Sequence, residues 1–270
     1  MKRILAGLAL TTVAALVTAT PAAQAAPVDP VKALKKQFVA GHGVRITETT
    51  RLTLDGKSAG ASTRTSGTFE FGKKGIVASD IKSHGAGGDK SLAGAYGPPR
   101  VVTVGGYSYV QGGLFSENLP DGKTWVRYTG EASGGTYNQT LDIFEPKVLK
   151  AIVSHAKSFK GGTYKGSLTY KDLAKAYGQK IGGRIANIKI DYALQVNSKG
   201  LATQLTSGWT MDLGILGKTR SVTETRYIGW GSKVKIKAPA EDQWIDVANL
   251  GEDSNVPQEI PNSALNSLAN

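Results

Sequence analysis

The sharpest alternation of apolar and polar positions in this chain runs from Ile188 to Val196. Ile188, Ile190, Tyr192, Leu194 and Val196 share one side, while Lys189, Asp191, Ala193 and Gln195 take the other. A period of two belongs to a strand with one buried and one wet face, as in antiparallel sheets. Beyond Asn197-Ser198-Lys199-Gly200, the residues Leu201, Leu205, Trp209 and Met211 carry the pattern into a further strand. Nearer the N-terminus, Val44, Ile46, Leu52 and Leu54 recur at even spacing and predict a long strand. Asp55-Gly56 then predicts a hairpin turn. Thr68, Phe69 and Phe71 fall in the returning strand and Ile76 to Ile81 in a third. Arg100 to Val104 and Tyr107 to Gln111 form a hairpin around Gly105-Gly106, followed by Thr124 to Tyr128. Sequential strands of this kind pair as a meander.

Three stretches change period. Asp29 and Pro30 open a short helix whose stripe is Val31, Leu34, Phe38 and Val39. Val148, Leu149, Ile152, Val153 and Ala156 line one face of a helix predicted over about Glu145 to Lys157, enough to pack on a sheet. A further helix is predicted over about Lys171 to Lys180, with Thr163 to Thr169 a strand between them. The total is about eleven strands and three helices, an α+β chain dominated by local antiparallel pairing. His84 to Pro99 has no periodicity and reads as a long loop.

Near the C-terminus, Thr223 to Ile245 reads as strand, turn and strand. Thr223, Thr225 and Tyr227 alternate with Glu224, Arg226 and Ile228. Gly229-Trp230-Gly231 is the predicted turn, and Val234 and Ile236 alternate with three lysines before Pro239 ends the run. This stretch, with its "KVKIKAP" and "DQWID" strings, resembles the close of LppX/LprG-type actinobacterial lipid carriers of the LolA-like group. Gly122-Lys123-Thr124-Trp125-Val126 resembles a mid-chain strand pair of the same group. The resemblance is strongest over Gly161 to Ile245 and looser from Val31 onward. It implies a strongly curved antiparallel half-barrel cupping two to three helices, with a two-sheet sandwich as the fallback. It also implies a hydrophobic ligand held between sheet and helices. The residues expected to line that space are Val148, Leu149, Ile152 and Val153 on the helix, with Ile188, Ile190, Tyr192, Leu194, Leu205 and Trp209 on the strands. Trp125, Tyr192, Trp209, Trp230 and Trp244 either line a cavity or fill a core.

The first 25 residues change the picture of where this protein acts. Lys2 and Arg3 precede an apolar run from Ile4 to Ala19, Pro21 breaks it, and Ala23-Gln24-Ala25 has the small-x-small pattern of a signal-peptidase site. Residues 1–25 are expected to be a secretory signal, 26–245 the half-barrel domain and 246–270 an acidic, flexible tail. A retained membrane helix is the weaker reading, because the run is short for a span. With no cysteine in the chain there is neither a disulfide framework nor the acylated cysteine that tethers lipoproteins. A freely secreted or wall-retained protein follows as the expectation.

Charge is uneven. The formal +12 falls to +10 once Lys2 and Arg3 are removed. From Ala238 onward there is no Lys or Arg but six acids, Glu241, Asp242, Asp246, Glu252, Asp253 and Glu259. A basic body suits an anionic cell-wall or membrane surface and is equally a plain solvated surface. Nucleic acid is a poor partner for a secreted chain without a recognition motif. A monomer is expected.

Catalytic signals are weak. Gly56-Lys57-Ser58-Ala59-Gly60 matches the G-x-S-x-G string, but a nucleophile elbow needs a strand-to-helix turn, whereas a hairpin tip is predicted here. The same Gly56-Lys57-Ser58 lacks the upstream glycine of a phosphate loop, a position held by Arg51. His42, His84 and His155 share no metal-ligand spacing, and Asp142 and Glu145 read as helix caps. Asn138-Gln139-Thr140 is a formal glycosylation sequon, discounted for a bacterial chain. No cofactor and no enzyme activity are implied. The main reading is a hydrophobic-ligand carrier, and the alternative is an envelope sensor or interaction module of the same fold.

Overall fold

The computed structural model describes residues 28–85, 99–130, 138–251 and 254–260. The expected signal segment and most of the loop expected over 84–99 lie outside them. Among the described residues, twelve strands join in one open sheet. In chain order these are β1 (His42–Leu54), β2 (Lys57–Phe71), β3 (Ile76–Gly85), β4 (Arg100–Val104), β5 (Tyr107–Gln111), β6 (Trp125–Thr129), β7 (Ala156–Lys160), β8 (Thr163–Thr169), β9 (Lys189–Val196), β10 (Ala202–Asp212), β11 (Lys218–Lys233) and β12 (Trp244–Asp246). Across the sheet they run β12-β6-β5-β4-β3-β2-β1-β11-β10-β9-β8-β7. Every pair is antiparallel except β12 with β6. Two meanders, β1 to β6 and β7 to β11, are thus zipped together by β1 against β11.

Three short α-helices among the described residues cover one face. In α1 (Pro30–Gln37), the Asp29 carboxylate accepts from the Val31 amide at 2.9 Å and Pro30 sits where a missing N–H costs nothing. The next, α2 (Pro146–Ser154), is capped by Glu145. It is shorter than the predicted 145–157 because Ala156 and Lys157 leave the helix to begin β7, which pairs with β8. The third, α3 (Tyr170–Tyr177), starts with a reciprocal capping box between Thr169 and Asp172 and ends at Gly178. Three helices on one face of a large open sheet make an α+β fold consistent with a curved half-barrel.

Of two predicted turns, one forms and one does not. Asp55-Gly56 forms the predicted hairpin, with φ of 48° and 77°, the paired positive values of a type I′ turn. Gly229-Trp230-Gly231, by contrast, does not reverse the chain. β11 runs through it to Lys233, and the positive φ values of Gly229 and Gly231 form a bulge where the register against β1 shifts between Gly43 and Arg45. The predicted strand over 233–237 therefore leaves the sheet. With β7 and β12 added, the strand count rises from about eleven to twelve.

Inward positions of β1 to β3 and β8 to β11 form the main core with the helices. Phe71, Ile46, Ile152, Ile190 and Leu205 are among its fully buried members. At the β4 to β6 end, no α-helix among the described residues covers the same face. The C-terminal segment does so instead, with Val256 buried against Val110, Phe115, Val126 and Tyr128. Over 254–260, within the stretch expected to be an acidic tail, Val256 and Ile260 pack on this strip of sheet. Tyr128 donates its hydroxyl to the Pro257 carbonyl at 2.6 Å.

Candidate functional site

All ten sequence-predicted ligand residues come together. Val148, Leu149 and Ile152 point from α2 into the sheet, against Ile190, Tyr192 and Leu194 of β9 and Leu205 of β10, all buried. Val153, Ile188 and Trp209 are half-buried at the margin of the same cluster. The helix spacing of three and four residues and the strand spacing of two each put their residues on one face, and the fold turns those faces toward each other.

The space between them is filled. A cavity of about 10 Å³ remains, bounded by Leu34, Ile143, Leu149, Leu194, Leu201 and Trp230 among others. That is at the lower limit for a single water. The sequence reading missed several of its walls. Leu34 belongs to the predicted stripe of α1, of which Val31 and Phe38 also pack on the core while Val39, past the end of the helix, is exposed. Ile143 sits in a loop with no period. Trp230 was placed in a turn, but the bulge aims it inward, where its ring lies 6.0 Å from Phe71 and its Nε1–H donates to the Ala202 carbonyl at 2.7 Å.

A second feature borders the apolar space, and nothing in the sequence signalled it. Glu48 lies on the inward side of β1, only 3% exposed. One carboxylate oxygen accepts from the Asn138 amide at 2.7 Å and the other from the Thr225 hydroxyl at 2.9 Å. The Gln139 side-chain amide donates from Nε2 to Thr225 Oγ1 at 3.0 Å, and Ser207 donates its hydroxyl to Gln139 Oε1. Burial pushes the Glu48 carboxyl up to about 7, against the opposing pull of these hydrogen bonds. The segment Asn138-Gln139, read only as a sequon, is thus a polar plug on the inner face. Its side-chain amides satisfy groups that would otherwise be orphaned.

The opposite face of the sheet carries a different recess. Beyond β11, residues 234–240 cross the outer face as an extended strap, and a 3-10 turn over Glu241–Gln243 leads into β12 beside β6, which accounts for the one parallel pair. The Val234 amide donates to the Gly41 carbonyl and the Ile236 amide to Glu70, both close to 2.8 Å. Ile236 packs with Val102, Tyr109, Trp125 and Trp244. Alongside the strap lies an open groove of about 870 Å³, its floor including Arg45, Thr68, Asp80 and Val102 on neighbouring strands. Arg100 holds Asp80 through two hydrogen bonds, at 3.0 and 2.9 Å, with its guanidinium 5.1 Å from the Trp125 ring centre. Of the five aromatics weighed together, Tyr192, Trp209 and Trp230 belong to the inner core and Trp125 and Trp244 to this outer layer.

Neither enzyme signal gains a setting. Ser58 lies in β2, paired with Thr53, just past a hairpin turn, with no helix following. Among the described residues no three His, Asp or Glu side chains gather as a metal site. His155 caps α2 and lies 3.9 Å from Asp172, a partly exposed pair.

No family model matches the sequence, and no curated protein matches it. Among solved structures, the chain is similar in fold to lipoprotein LppX of Mycobacterium tuberculosis, at 10% identity over 77% of this chain and 96% of that one, with a TM-score of 0.36. It is also similar to a LolA superfamily protein from Nitrosomonas europaea, at 9% identity over 76% and 93% of the two chains and a TM-score of 0.27. A third likeness is to a DUF1329 family protein from Desulfovibrio piger, at 13% identity over 78% and 96%, with a TM-score of 0.27.

Proposed function

We propose that this chain is a secreted, non-enzymatic binding or carrier protein for a hydrophobic ligand. Its acyl chains lie between the inner face of β9 and β10 and the helix α2, and the polar headgroup stays at the rim. The observation that carries this reading is the construction of the apolar layer. It is roofed by helices of eight and nine residues, which meet the sheet mainly through apolar side chains. Helices this short have little stability of their own and are held by that packing.

The energetics of opening are within reach of a lipid. Lifting α2 exposes Val148, Leu149 and Ile152, at about 1.5–3 kcal/mol each, or about 5–9 kcal/mol together. An acyl chain of about twelve methylenes regains roughly 10 kcal/mol at about 0.8 kcal/mol per methylene. Ligand entry by displacement of α2 is therefore balanced at roughly six to eleven methylenes and favoured for longer chains. The resemblance read in Thr223 to Ile245 points the same way.

The filled interior favours a second reading, an envelope sensor or interaction module whose core is permanently plugged. One pair of measurements separates them. Solvent extraction and mass spectrometry of protein purified from its native envelope should release a bound lipid, and the delipidated protein should take up a fluorescent fatty acid of sixteen or so carbons. An extract without lipid, together with no uptake, would reject the carrier and leave the module.

A further inference from the structure

The outer groove lies on the far side of the sheet from the acyl space, so it is independent of the carrier reading. Its basic lining comprises Arg45, Arg100, Lys233, Lys235 and Lys237, against the single acid Asp80. Arg100 is neutralised by Asp80. None of the ion pairs among the described residues involves Arg45 or the three lysines. Four cations thus line one recess outside any ion pair among the described residues, and the Glu70 carboxylate, which accepts from the Ile236 amide, is the acid held under the strap. The acidic tail does not supply a counter-charge over 254–260, since Val256 anchors that segment to the opposite face.

The spacing of these charges is regular. Exposure alternates along 233–237, with Lys233, Lys235 and Lys237 exposed and Val234 and Ile236 half-buried. In an extended segment, alternate residues lie on one side roughly 7 Å apart. The ammonium groups therefore form a row along the rim, with Arg45 on the floor beside it. A row of that pitch suits an anion that is itself linear and repeating. The recess is concave and bounded by the strap, a shape that admits a flexible chain more readily than a flat bilayer surface. Trp125 is the groove's aromatic residue, and it is only 6% exposed, so the groove has no open ring on which nucleobases can stack. Hydroxyl and amide groups of Thr68, Gln111, Thr124 and Gln243 supply donors for the oxygens between charges.

We propose that this groove binds a linear phosphodiester polymer with a polyol backbone, its phosphates paired with Lys233, Lys235, Lys237 and Arg45. The protein would thereby be held on an anionic matrix by one face while the other face stays free.

The test is fluorescence anisotropy with end-labelled synthetic poly(glycerol phosphate), comparing the purified protein with the triple variant Lys233→Gln, Lys235→Gln, Lys237→Gln. A second triple, Lys147→Gln, Lys150→Gln, Lys171→Gln, removes the same charge from exposed helix positions on the other face. Four engaged cations should make affinity fall about 50-fold between about 50 mM and 200 mM salt, by the counterion-release slope of a flexible polyanion. The groove triple should lose about tenfold or more at the lower salt and show a flatter salt dependence, and the helix triple should lose less than about twofold. Thermal melts of both triples should match the parent, as these side chains are exposed. Equal loss in the two triples means diffuse net charge and overturns the proposal. So does an absence of polymer binding at low salt. Groove-dependent binding to vesicles containing phosphatidylglycerol, or to oligothymidine, at an affinity equal to or above that for the polymer, overturns the assigned ligand.

Discussion

Tyr192 donates its hydroxyl to the main-chain carbonyl of Ile152 at 2.5 Å, joining β9 to the last turn of α2. Both residues were expected to face a ligand, and here they bond helix to sheet. The carbonyl is one of those a helix end leaves without an internal partner. Burial pushes the phenol up to about 12, so it remains a donor throughout the physiological range. This bond is the polar latch on an otherwise apolar roof.

Removing that latch should loosen the roof. Tyr192→Phe leaves the ring in place and orphans the Ile152 carbonyl, at a cost of about 1–3 kcal/mol. Chemical denaturation should show this loss, and the carrier reading adds faster uptake of a fluorescent fatty acid. Unchanged stability would mean that the carbonyl finds water instead and that α2 is not latched.

Enlarging a residue under the roof should be costly. Ile152 and Val148 are fully buried, and the neighbouring cavity holds about 10 Å³. Ile152→Trp and Val148→Trp should each lower stability by about 1–3 kcal/mol or more through overpacking. A thermal melt on each variant checks this. Near-parental melting in both would reveal room that the filled core does not show.

The Glu48 carboxyl links stability to pH in a defined direction. Its folded value is near 7 against an ordinary 4.5. The folded state therefore binds more proton than the unfolded state between these values. Stability from this group is fully present below about pH 4.5, falls as pH rises, and levels off above about pH 7. The full span is on the order of 3 kcal/mol. Glu48→Gln keeps an acceptor for the Asn138 amide and abolishes the ionisation. Urea titrations at pH 5 and pH 8 should differ less in the variant than in the parent, and the variant should be the more stable at pH 8. An unchanged pH dependence would assign it to other groups.

Truncation at the C-terminus tests whether the segment over 254–260 is a strap. Ending the chain at Gly251 removes Val256 and the acceptor of the Tyr128 hydroxyl, and it uncovers Val110 and Val126. Burial of a valine contributes about 1.5–3 kcal/mol, which for a domain of this size corresponds to a fall of about 5–10 °C in Tm. A fall of less than about 1 °C would return the segment to the status of a free tail.

What the sequence determined by itself were the local periods and stops. Strand alternation at Ile188 to Val196, the apolar stripe of α2, the Asp29 cap and the Asp55-Gly56 turn all depend on neighbouring residues and on backbone angles each residue can adopt. Those features reappear with their faces as read. Pairing across the chain was decided only by tertiary structure. Gly229-Trp230-Gly231 is compatible with either a reversal or a bulge, and β1, lying some 180 residues earlier, selects the bulge by continuing its ladder to Lys233. Alternation along Lys233 to Lys237 reports two unlike sides, which a sheet strand and a strap share. The strap then carries Trp244 to the outer face, away from Trp230. The buried Glu48 looks like any other polar residue of an alternating strand until Asn138, Gln139 and Thr225 close around it. Periodicity names the face a residue points from, and the partner that face meets is set by contacts distant in the chain.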